Sequence, residues 1–354
     1  MSFPATIESG ATWSSWKNIP LGPHVVGSNL YAILRNPTLA FARAYKSTDG
    51  GETWAAQNTV GESLKGPTGV AFDGTKIWTI QGSTAVNLRA FNTSTDLWET
   101  AITTGPTLQV GIDGTTFPCD LTMRSDASAV VLYQGAVEKV MGVDYRRVKI
   151  HYYDGSWHGP YDVVGSANSP IADTLPGTQE NYDARCAVLG SSDRVHLFWT
   201  RQSTVDEFHS RTFLSGNTFA TAGAVDTAVL GDVNYSAGLP TTYVDGSDTR
   251  LVIPYHNNDG ALHVARAISA DSPSWTLQAV STFTGTESDP ESTIANLGAV
   301  VADGTIIHAF WPDFTTIDIW QDNDQGSGTW QTDVEWKDAV SCRAISIGLF
   351  IYQG

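Results

Sequence analysis

The chain has 354 residues, of which 20 are Lys or Arg and 37 are Asp or Glu, so its net charge is −17. A surface this acidic repels the phosphates of nucleic acids and anionic lipids, and neither is an expected partner. Hydrophobic residues make up 41% of the chain, which is enough for a large core. No N-terminal apolar region resembles a secretory signal, and no apolar run of about 18 residues could cross a bilayer. We therefore expect a soluble folded protein without membrane insertion.

The spacing of turn-forming residues predicts an almost entirely β structure. Thirty-three glycines and 15 prolines fall at short intervals among Ser, Thr, Asn and Asp, as is typical of many short strands joined by turns. No long segment has the 3.6-residue apolar period of a helix. The three cysteines (Cys119, Cys186 and Cys342) lack the spacing of a zinc site and cannot form a disulfide framework, so we expect small buried side chains.

The first clear element is a hairpin, "LAFARAYKSTDGGETW", which ends at Trp54. It consists of an alternating strand, a polar turn and an aromatic residue that opens the next strand. The same arrangement recurs at intervals of about fifty residues, which indicates an internal repeat. The aromatic residues that end these segments are Trp13, Trp54, Trp98, Trp157, Phe219, Trp275 and Trp330.

A second hairpin recurs between these segments, for example in "GVAFDGTKIWTI", "TTYVDGSDTRLVIPY" and "AVVADGTIIHAFW". Asp-Gly between two apolar runs is a strong hairpin signal. Each repeat thus has four antiparallel strands, A to D, in about fifty residues. This is the size and content of a β-propeller blade.

The two ends of the chain complement each other. The segment "RAISIGLFIYQG" supplies strands A and B, and the N-terminal "FPATIESGATWSSWKNI" supplies strands C and D. We therefore predict one domain over residues 1–354, a seven-bladed propeller whose last blade is closed by strands from both termini; six blades is the alternative. The predicted blades are 21–60, 61–105, 115–166, 181–228, 235–283, 292–338, and 339–354 together with 1–20.

The segment "STDGGETW" resembles the Asp-box, or BNR repeat, of sialidases and related propellers. Ser47, Asp49, Gly51 and Trp54 match its S-x-D-x-G-x-x-W pattern. The resemblance implies that this box lies at a turn between strands C and D, away from the substrate, with its Trp packed between blades. The residues support a structural role, because Asp caps turn amides and a large aromatic side chain fills the space between two sheets.

The same resemblance raises the possibility of hydrolysis. Sialidases use three arginines, a Tyr with a Glu partner, and an Asp acid/base, but the F-R-I-P-like motif of the first arginine is missing here. Arg124, Arg185 and Arg343 lie on or beside predicted strands A and could form a triad. If the protein is a hydrolase of this class, the candidate catalytic residues are Tyr182, Asp183, Asp120 and Glu291.

A binding site is expected where the D-to-A and B-to-C connections meet, opposite the Asp-box. Aromatic residues beside Asp, Asn and Arg suit sugar recognition, since a ring stacks on a pyranose while polar groups bind its hydroxyls. In the alternative interpretation, Trp199 and Trp311 are core residues of strand B. The candidate ligand-binding residues are Tyr182, Asp183, Arg185, Trp199, Arg201, Tyr255, His256, Trp311 and Asp313.

The function that these patterns favour is non-enzymatic carbohydrate binding, as a lectin or a receptor-binding module. The alternatives are a sialidase-like glycoside hydrolase and a structural subunit of a larger assembly. The expected partner is a glycan or glycosylated surface, with protein partners in an assembly, and a virion or an extracellular surface is the expected location. His196 and His308 come from distant blades and are expected in the core or channel, so we predict no metal site and no cofactor.

Overall fold

The computed structural model describes residues 21–36, 41–59, 70–81, 86–107, 119–124, 129–140, 143–163, 185–189, 194–201, 207–214, 216–221, 223–226, 240–256, 262–268, 274–280, 299–313, 318–324, 329–331 and 334–337. These residues form six antiparallel sheets in which consecutive strands are neighbours. We call the sheets blades I to VI. They lie within the first six predicted repeats, whereas the residues of the predicted seventh blade lie outside the described part.

The first three blades each have four strands in the order A-B-C-D. Blade I contains β1 (Leu21–Val26), β2 (Asn29–Asn36), β3 (Phe41–Ser47) and β4 (Ala55–Thr59). Blade II contains β5 (Val70–Phe72), β6 (Lys76–Gln81), β7 (Asn87–Asn92) and β8 (Leu97–Trp98). Blade III contains β9 (Cys119–Met123), β10 (Val130–Val140), β11 (Val143–Tyr153) and β12 (Trp157–Asp162).

The other three blades repeat this order. Blade IV contains β13 (Arg185–Leu189), β14 (Arg194–Arg201), β15 (Glu207–Leu214) and a strand D in two parts, β16 (Thr218–Phe219) and β17 (Gly223–Asp226). Blade V contains β18 (Thr241–Asp245), β19 (Asp248–His256), β20 (Leu262–Ala267) and β21 (Trp275–Ala279). Blade VI contains β22 (Ala299–Asp303), β23 (Ile306–Asp313), β24 (Asp318–Asn323) and β25 (Val334–Lys337).

The core is divided among the junctions between consecutive blades. Five clusters of buried apolar side chains fill the five junctions from I–II to V–VI. At the junction of blades III and IV, for example, Ile150 of β11 packs with Leu197 and Phe213 of the next blade, and all three are fully buried. Each blade is therefore stabilised mainly by burying its faces against its neighbours.

The aromatic residue that opens strand D reaches into the junction with the preceding blade. Trp98 packs into the cluster between blades I and II, and Trp275 packs into the one between blades IV and V. The Nε1–H of Trp275 also donates a hydrogen bond to Ser210 Oγ of blade IV, at 3.0 Å. The residues in the same role at the remaining three described junctions are Trp157, Phe219 and Trp330.

The connections between strands divide each sheet into two ends. We call the end with the A–B and C–D connections the turn end, and the end with the B–C and D–A connections the loop end. The Asp-Gly hairpins occur as predicted in A–B turns, where Gly246 and Gly304 have φ values of 63° and 61°. Glycine favours these positions because it has no Cβ to clash in the left-handed region.

The predicted Asp-box segment forms the C–D turn of blade I and is held by its own side chains. The Gly51 amide donates to the buried Ser47 hydroxyl at 2.8 Å, and that hydroxyl donates to Asp49 Oδ1 at 2.7 Å. The Thr53 hydroxyl and amide both donate to the Asp49 carboxylate, and these bonds lower the pKa of Asp49 to about 2. The Trp54 indole donates to the Gly51 carbonyl at 3.1 Å. The geometry of this segment is that of a structural turn.

None of the described residues is helical, so this part of the chain contains no helix long and apolar enough to cross a membrane.

We predict that Ser47→Ala lowers the free energy of unfolding by about 1 kcal/mol, because the buried Gly51 amide loses its acceptor. Chemical denaturation measured by tryptophan fluorescence tests this. Thr48→Ala, which changes the adjacent exposed residue, is the control and should have the wild-type midpoint. Equal midpoints for all three proteins would contradict the structural role of the turn.

A buried histidine makes stability depend on pH. His151 of β11 is 6% exposed, and burial, with a smaller effect of Lys149, lowers its pKa from 6.5 to about 4. The unfolded chain therefore binds a proton that the folded chain excludes. The resulting stability is present above pH 6.5 and is lost as the pH falls towards 4.

We predict that His151→Gln reduces this loss of stability between pH 6.5 and 5, a range chosen to lie above most carboxylate titrations. Denaturation curves at several pH values test it. The control is His158→Gln, which changes a half-exposed histidine of the same blade. If His151→Gln keeps the full slope of the wild-type protein, the cause lies elsewhere.

Candidate functional site

The structure places the described candidate residues at the loop end. Arg185 begins β13, whereas Arg201, His256 and Asp313 end the B strands of blades IV, V and VI. For these four residues the structure describes only the position of the backbone. Tyr182, Asp183 and Glu291 lie outside the described residues, so their convergence with this group stays a prediction.

Three aromatic candidates near this end are buried. Trp199, Tyr255 and Trp311 are 2%, 1% and 3% exposed and belong to the clusters at three successive junctions. The Trp199 ring also stacks on His209, with the ring centres 5.4 Å apart. For Trp199 and Trp311 this placement is the one expected in the alternative interpretation, in which the two residues belong to the core of strand B.

A buried polar pair at the loop end was not apparent in the sequence. The Tyr255 hydroxyl donates to Asp226 Oδ2 at 2.7 Å, between blades V and IV. Asp226 lies at the end of β17, the second part of the split strand D, and is 7% exposed. The two residues are 29 positions apart, and no local pattern connects them.

The arginine triad considered for hydrolysis does not form as expected. Arg124 follows β9 at the turn end, where its guanidinium lies 5.3 Å from the centre of the Tyr152 ring. Arg185 begins a strand A at the loop end, and strand A spans about 16 Å between these ends. The two residues therefore lie at opposite ends of their sheets, and Arg343 lies outside the described residues.

The remaining catalytic and metal candidates have structural surroundings. Asp120 is 2% exposed, and its carboxylate accepts a hydrogen bond from the Leu121 amide at 2.9 Å. His196 is buried, with Nδ1 3.3 Å from the Thr212 hydroxyl. Within the described ranges, no group of three or more His, Cys, Asp or Glu residues could hold a metal ion.

A cavity of about 280 Å³ lies at the turn end of blade V, beside blade VI. We call it the junction cavity. All four strands of blade V contribute side chains to it, and Thr305 in the A–B turn of blade VI completes its wall. The polar lining includes Tyr243, Asp245, Arg250, Arg266 and Gln278.

Arg250 is held by the turn that precedes it. Its Nη1 lies 2.5 Å from Asp245 Oδ2 and its Nη2 lies 3.6 Å from Asp248 Oδ2, the two residues that close the A–B turn. Its Nε is buried and has no hydrogen-bond partner among the described residues. The Asp245 side chain is 49% exposed. A fixed donor therefore lies beside an accessible carboxylate.

Arg266 links the cavity to the next blade. Its guanidinium lies between the Tyr243 and Trp330 rings, 5.7 and 5.6 Å from their centres. Its Nη2 lies 2.5 Å from Oδ2 of Asp324, a fully buried carboxylate of blade VI. Burial also raises the pKa of Tyr243, so its hydroxyl keeps its proton. The Arg266 Nε, like that of Arg250, has no hydrogen-bond partner within the described part of the chain.

Arg266 faces the next blade, whereas two other strand-C arginines lie on the face towards the preceding blade. Arg89 and Arg211 each donate from Nε to the carbonyl that follows the aromatic residue of strand D in the same blade, at Glu99 and Ala220, over 2.6 and 2.7 Å. Arg266 extends to blade VI and lines the cavity there.

The corresponding place between blades I and II is occupied by a protein side chain. Tyr31 lies two residues after the turn-closing pair of blade I, as Arg250 does in blade V. The Tyr31 hydroxyl lies 2.9 Å from Asp96 of blade II, which also pairs with Lys46 at 2.7 Å. The same position in the fold is thus closed at one junction and open at another.

Apolar side chains border the junction cavity. Val244 and Ile268 line it and are 40% and 49% exposed. Large apolar side chains with this exposure can cover the carbon-bound face of a small ligand. Arg250 lies in the segment "VDGSDTRL" and Arg266 in "ARAI". Neither segment by itself shows that the two arginines line the same cavity from different strands.

Comparisons with known proteins identify the fold. No protein-family model and no curated protein sequence matches the chain. The lectin of the fungus Aleuria aurantia, a six-bladed β-propeller with a novel mode of fucose recognition, aligns over 92% of this chain and 96% of its own, with a TM-score of 0.52 and 12% identity. A variant of that lectin in complex with Fucα1-6GlcNAc has a TM-score of 0.55 over the same coverage, also at 12% identity.

A further structure, that of AofleA from Arthrobotrys oligospora, aligns over 91% of this chain and 86% of its own, with a TM-score of 0.51 and 8% identity. At such low identity the similarity concerns the fold alone. The chain is an all-β propeller, and membership of the Asp-box family stays a hypothesis based on one octet.

We predict that Trp199→Ala lowers the free energy of unfolding by about 3–5 kcal/mol, the usual cost of removing a buried large aromatic side chain. Urea denaturation with circular dichroism measures this, with Trp199→Phe as the milder variant. A Trp199→Ala protein that keeps wild-type stability but loses ligand binding would instead identify the indole as a ligand contact.

Proposed function

We propose that the protein is a non-enzymatic carbohydrate-binding propeller and that the junction cavity is a binding site for a saccharide. The observation that carries the proposal is that two arginines, Arg250 and Arg266, line one cavity together with the half-exposed carboxylate of Asp245. Guanidinium groups donate hydrogen bonds and a carboxylate accepts them. A ligand rich in hydroxyl groups can bind both kinds of group.

The composition of the cavity suits the two sides of a sugar. Sugar hydroxyls both donate and accept, so they can bind Arg250 and Asp245 side by side. The apolar side chains of Val244 and Ile268 lie at the same opening and suit the carbon-bound hydrogens of the ring. The overall similarity to lectin propellers is compatible with this function but concerns the fold.

The other two functions remain alternatives without a supporting observation of this kind. Hydrolysis requires a pair of catalytic groups. Of the four candidates, Asp120 is buried, and Tyr182, Asp183 and Glu291 lie outside the described residues. A structural subunit would bind a protein partner through an apolar surface. Two of the five large exposed apolar side chains among the described residues, Val244 and Ile268, instead line a polar cavity.

The loop-end residues form a second proposed binding area. Arg185, Arg201, His256 and Asp313 share one end of three successive blades, with the buried aromatic residues beneath them. In this proposal the aromatic side chains support the polar loop-end residues from below. A glycosylated surface, such as that contacted by a virion or an extracellular protein, is the partner that we propose for both areas, with protein partners if the propeller is part of an assembly.

We also infer a ring of seven blades, the seventh formed by residues 339–354 and 1–20. Trp54 opens strand D of blade I, and its counterparts in the next five blades each pack against the preceding blade. The five described core clusters join blades I to VI in sequence. A blade between VI and I would give Trp54 the same kind of neighbour.

We predict that Arg250→Gln weakens saccharide binding at least about tenfold, because it removes a charged donor from the cavity, while the protein keeps its fold. A glycan array followed by calorimetry with the best ligand measures this. Arg194→Gln is the matched control, since Arg194 begins strand B of blade IV without lining the cavity. Unchanged affinity in Arg250→Gln would exclude the junction cavity as the site.

A further inference from the structure

The charges at the junction cavity determine which class of saccharide it can accept. Two arginines line the cavity, but each is already paired with aspartate. Arg250 pairs with Asp245 and Asp248, and Arg266 pairs with Asp324. Three carboxylates therefore offset two guanidinium groups. The arginines still donate hydrogen bonds there, but they provide no net positive charge.

The accessible charge at the cavity is negative. Asp324 is fully buried and Arg266 is 8% exposed, so neither presents much of its charge to solvent. The Asp245 side chain lines the cavity and is 49% exposed, about twice the fraction of its partner Arg250. The whole chain carries a net charge of −17, which adds a repulsive field for any approaching anion.

A carboxylate on a ligand would therefore face Asp245 at close range. Like charges within a few ångströms repel, and the effect is strongest where a cavity excludes water. A sugar hydroxyl in the same place would donate a hydrogen bond to Asp245 and accept one from a guanidinium N–H. The Gln278 amide and the Thr305 hydroxyl can each donate and accept, so they add no preference for charge.

We infer that the junction cavity is specific for the terminal residue of a neutral saccharide and rejects acidic sugars such as uronic and sialic acids, with Asp245 as the specificity-determining residue. The inference rests on the proposed function, since it assigns a ligand class to the same cavity. It also disfavours a sialic acid substrate at this site, because that sugar carries a carboxylate.

The test uses pairs of glycans that differ by one carboxylate: methyl glucosides against methyl glucuronides, and galactose-terminated against sialylated oligosaccharides. The full-length protein is titrated with each pair by calorimetry or nuclear magnetic resonance. We expect the best-binding neutral glycan to have an affinity at least about tenfold higher than that of its acidic partner. Raising the salt concentration should reduce the difference between the two affinities, because screening weakens repulsion from the exposed carboxylate.

Asp245→Asn separates charge from hydrogen bonding, because the amide keeps an acceptor oxygen. We expect this variant to bring the ratio of neutral to acidic affinities towards one. Asp154→Asn is the control, since it removes an exposed aspartate from the C–D turn of blade III, at the same end of the fold but away from the cavity. It should keep the wild-type ratio.

The outcomes distinguish an error about the ligand class from an error about saccharide binding itself. If acidic and neutral members bind equally, or the acidic members bind better, the inference about ligand class is wrong while saccharide binding stands. The inference is also wrong if Asp245→Asn keeps the wild-type ratio. If no saccharide of either class binds in a panel of common terminal sugars, the proposed function itself fails.

Discussion

Packing between neighbouring blades is the interaction on which the rest of the structure depends. A single four-stranded sheet has two faces, and its apolar side chains leave water only when another sheet covers them. The five core clusters provide this cover from blade I to blade VI. The aromatic residue at the start of strand D recurs because each junction needs a large side chain in the same place. The positions of both candidate binding areas follow from this stacking.

The junction cavity is a local departure from that regular packing. Where blades I and II meet, Tyr31, Asp96 and Lys46 close the corresponding space. Between blades V and VI, Arg266 extends to Asp324 of the next blade and lines the cavity. The buried ion pair and the contacts with two aromatic rings fix the position of its guanidinium group. A preorganised polar site of this kind loses little entropy when a ligand binds.

Local sequence patterns predicted much of the fold and less of the site. Asp-Gly turns and alternating strands are short-range signals, and the hairpins at Gly246 and Gly304 form as predicted. Trp199 and Trp311 stand next to polar loop residues in the sequence, which favoured a binding role, yet the structure buries both. The choice between core and surface depends on the neighbouring blade. The cavity was missed for the same reason, because Arg250 and Arg266 meet only across strands and Thr305 joins them from another blade.

The sequence by itself determined the β class, the repeat of about fifty residues and the structural role of the octet around Asp49, because each depends on contacts between residues close in the chain. Tertiary structure decided which aromatic residues are buried, which arginines share a cavity and at which end of the sheets each candidate lies. These features depend on contacts between blades, which no local pattern encodes. The acidic composition made nucleic acids and anionic lipids poor partners, whereas the ion pairs of Arg250 and Arg266, which carry the inference about charge at the cavity, are visible only in the structure.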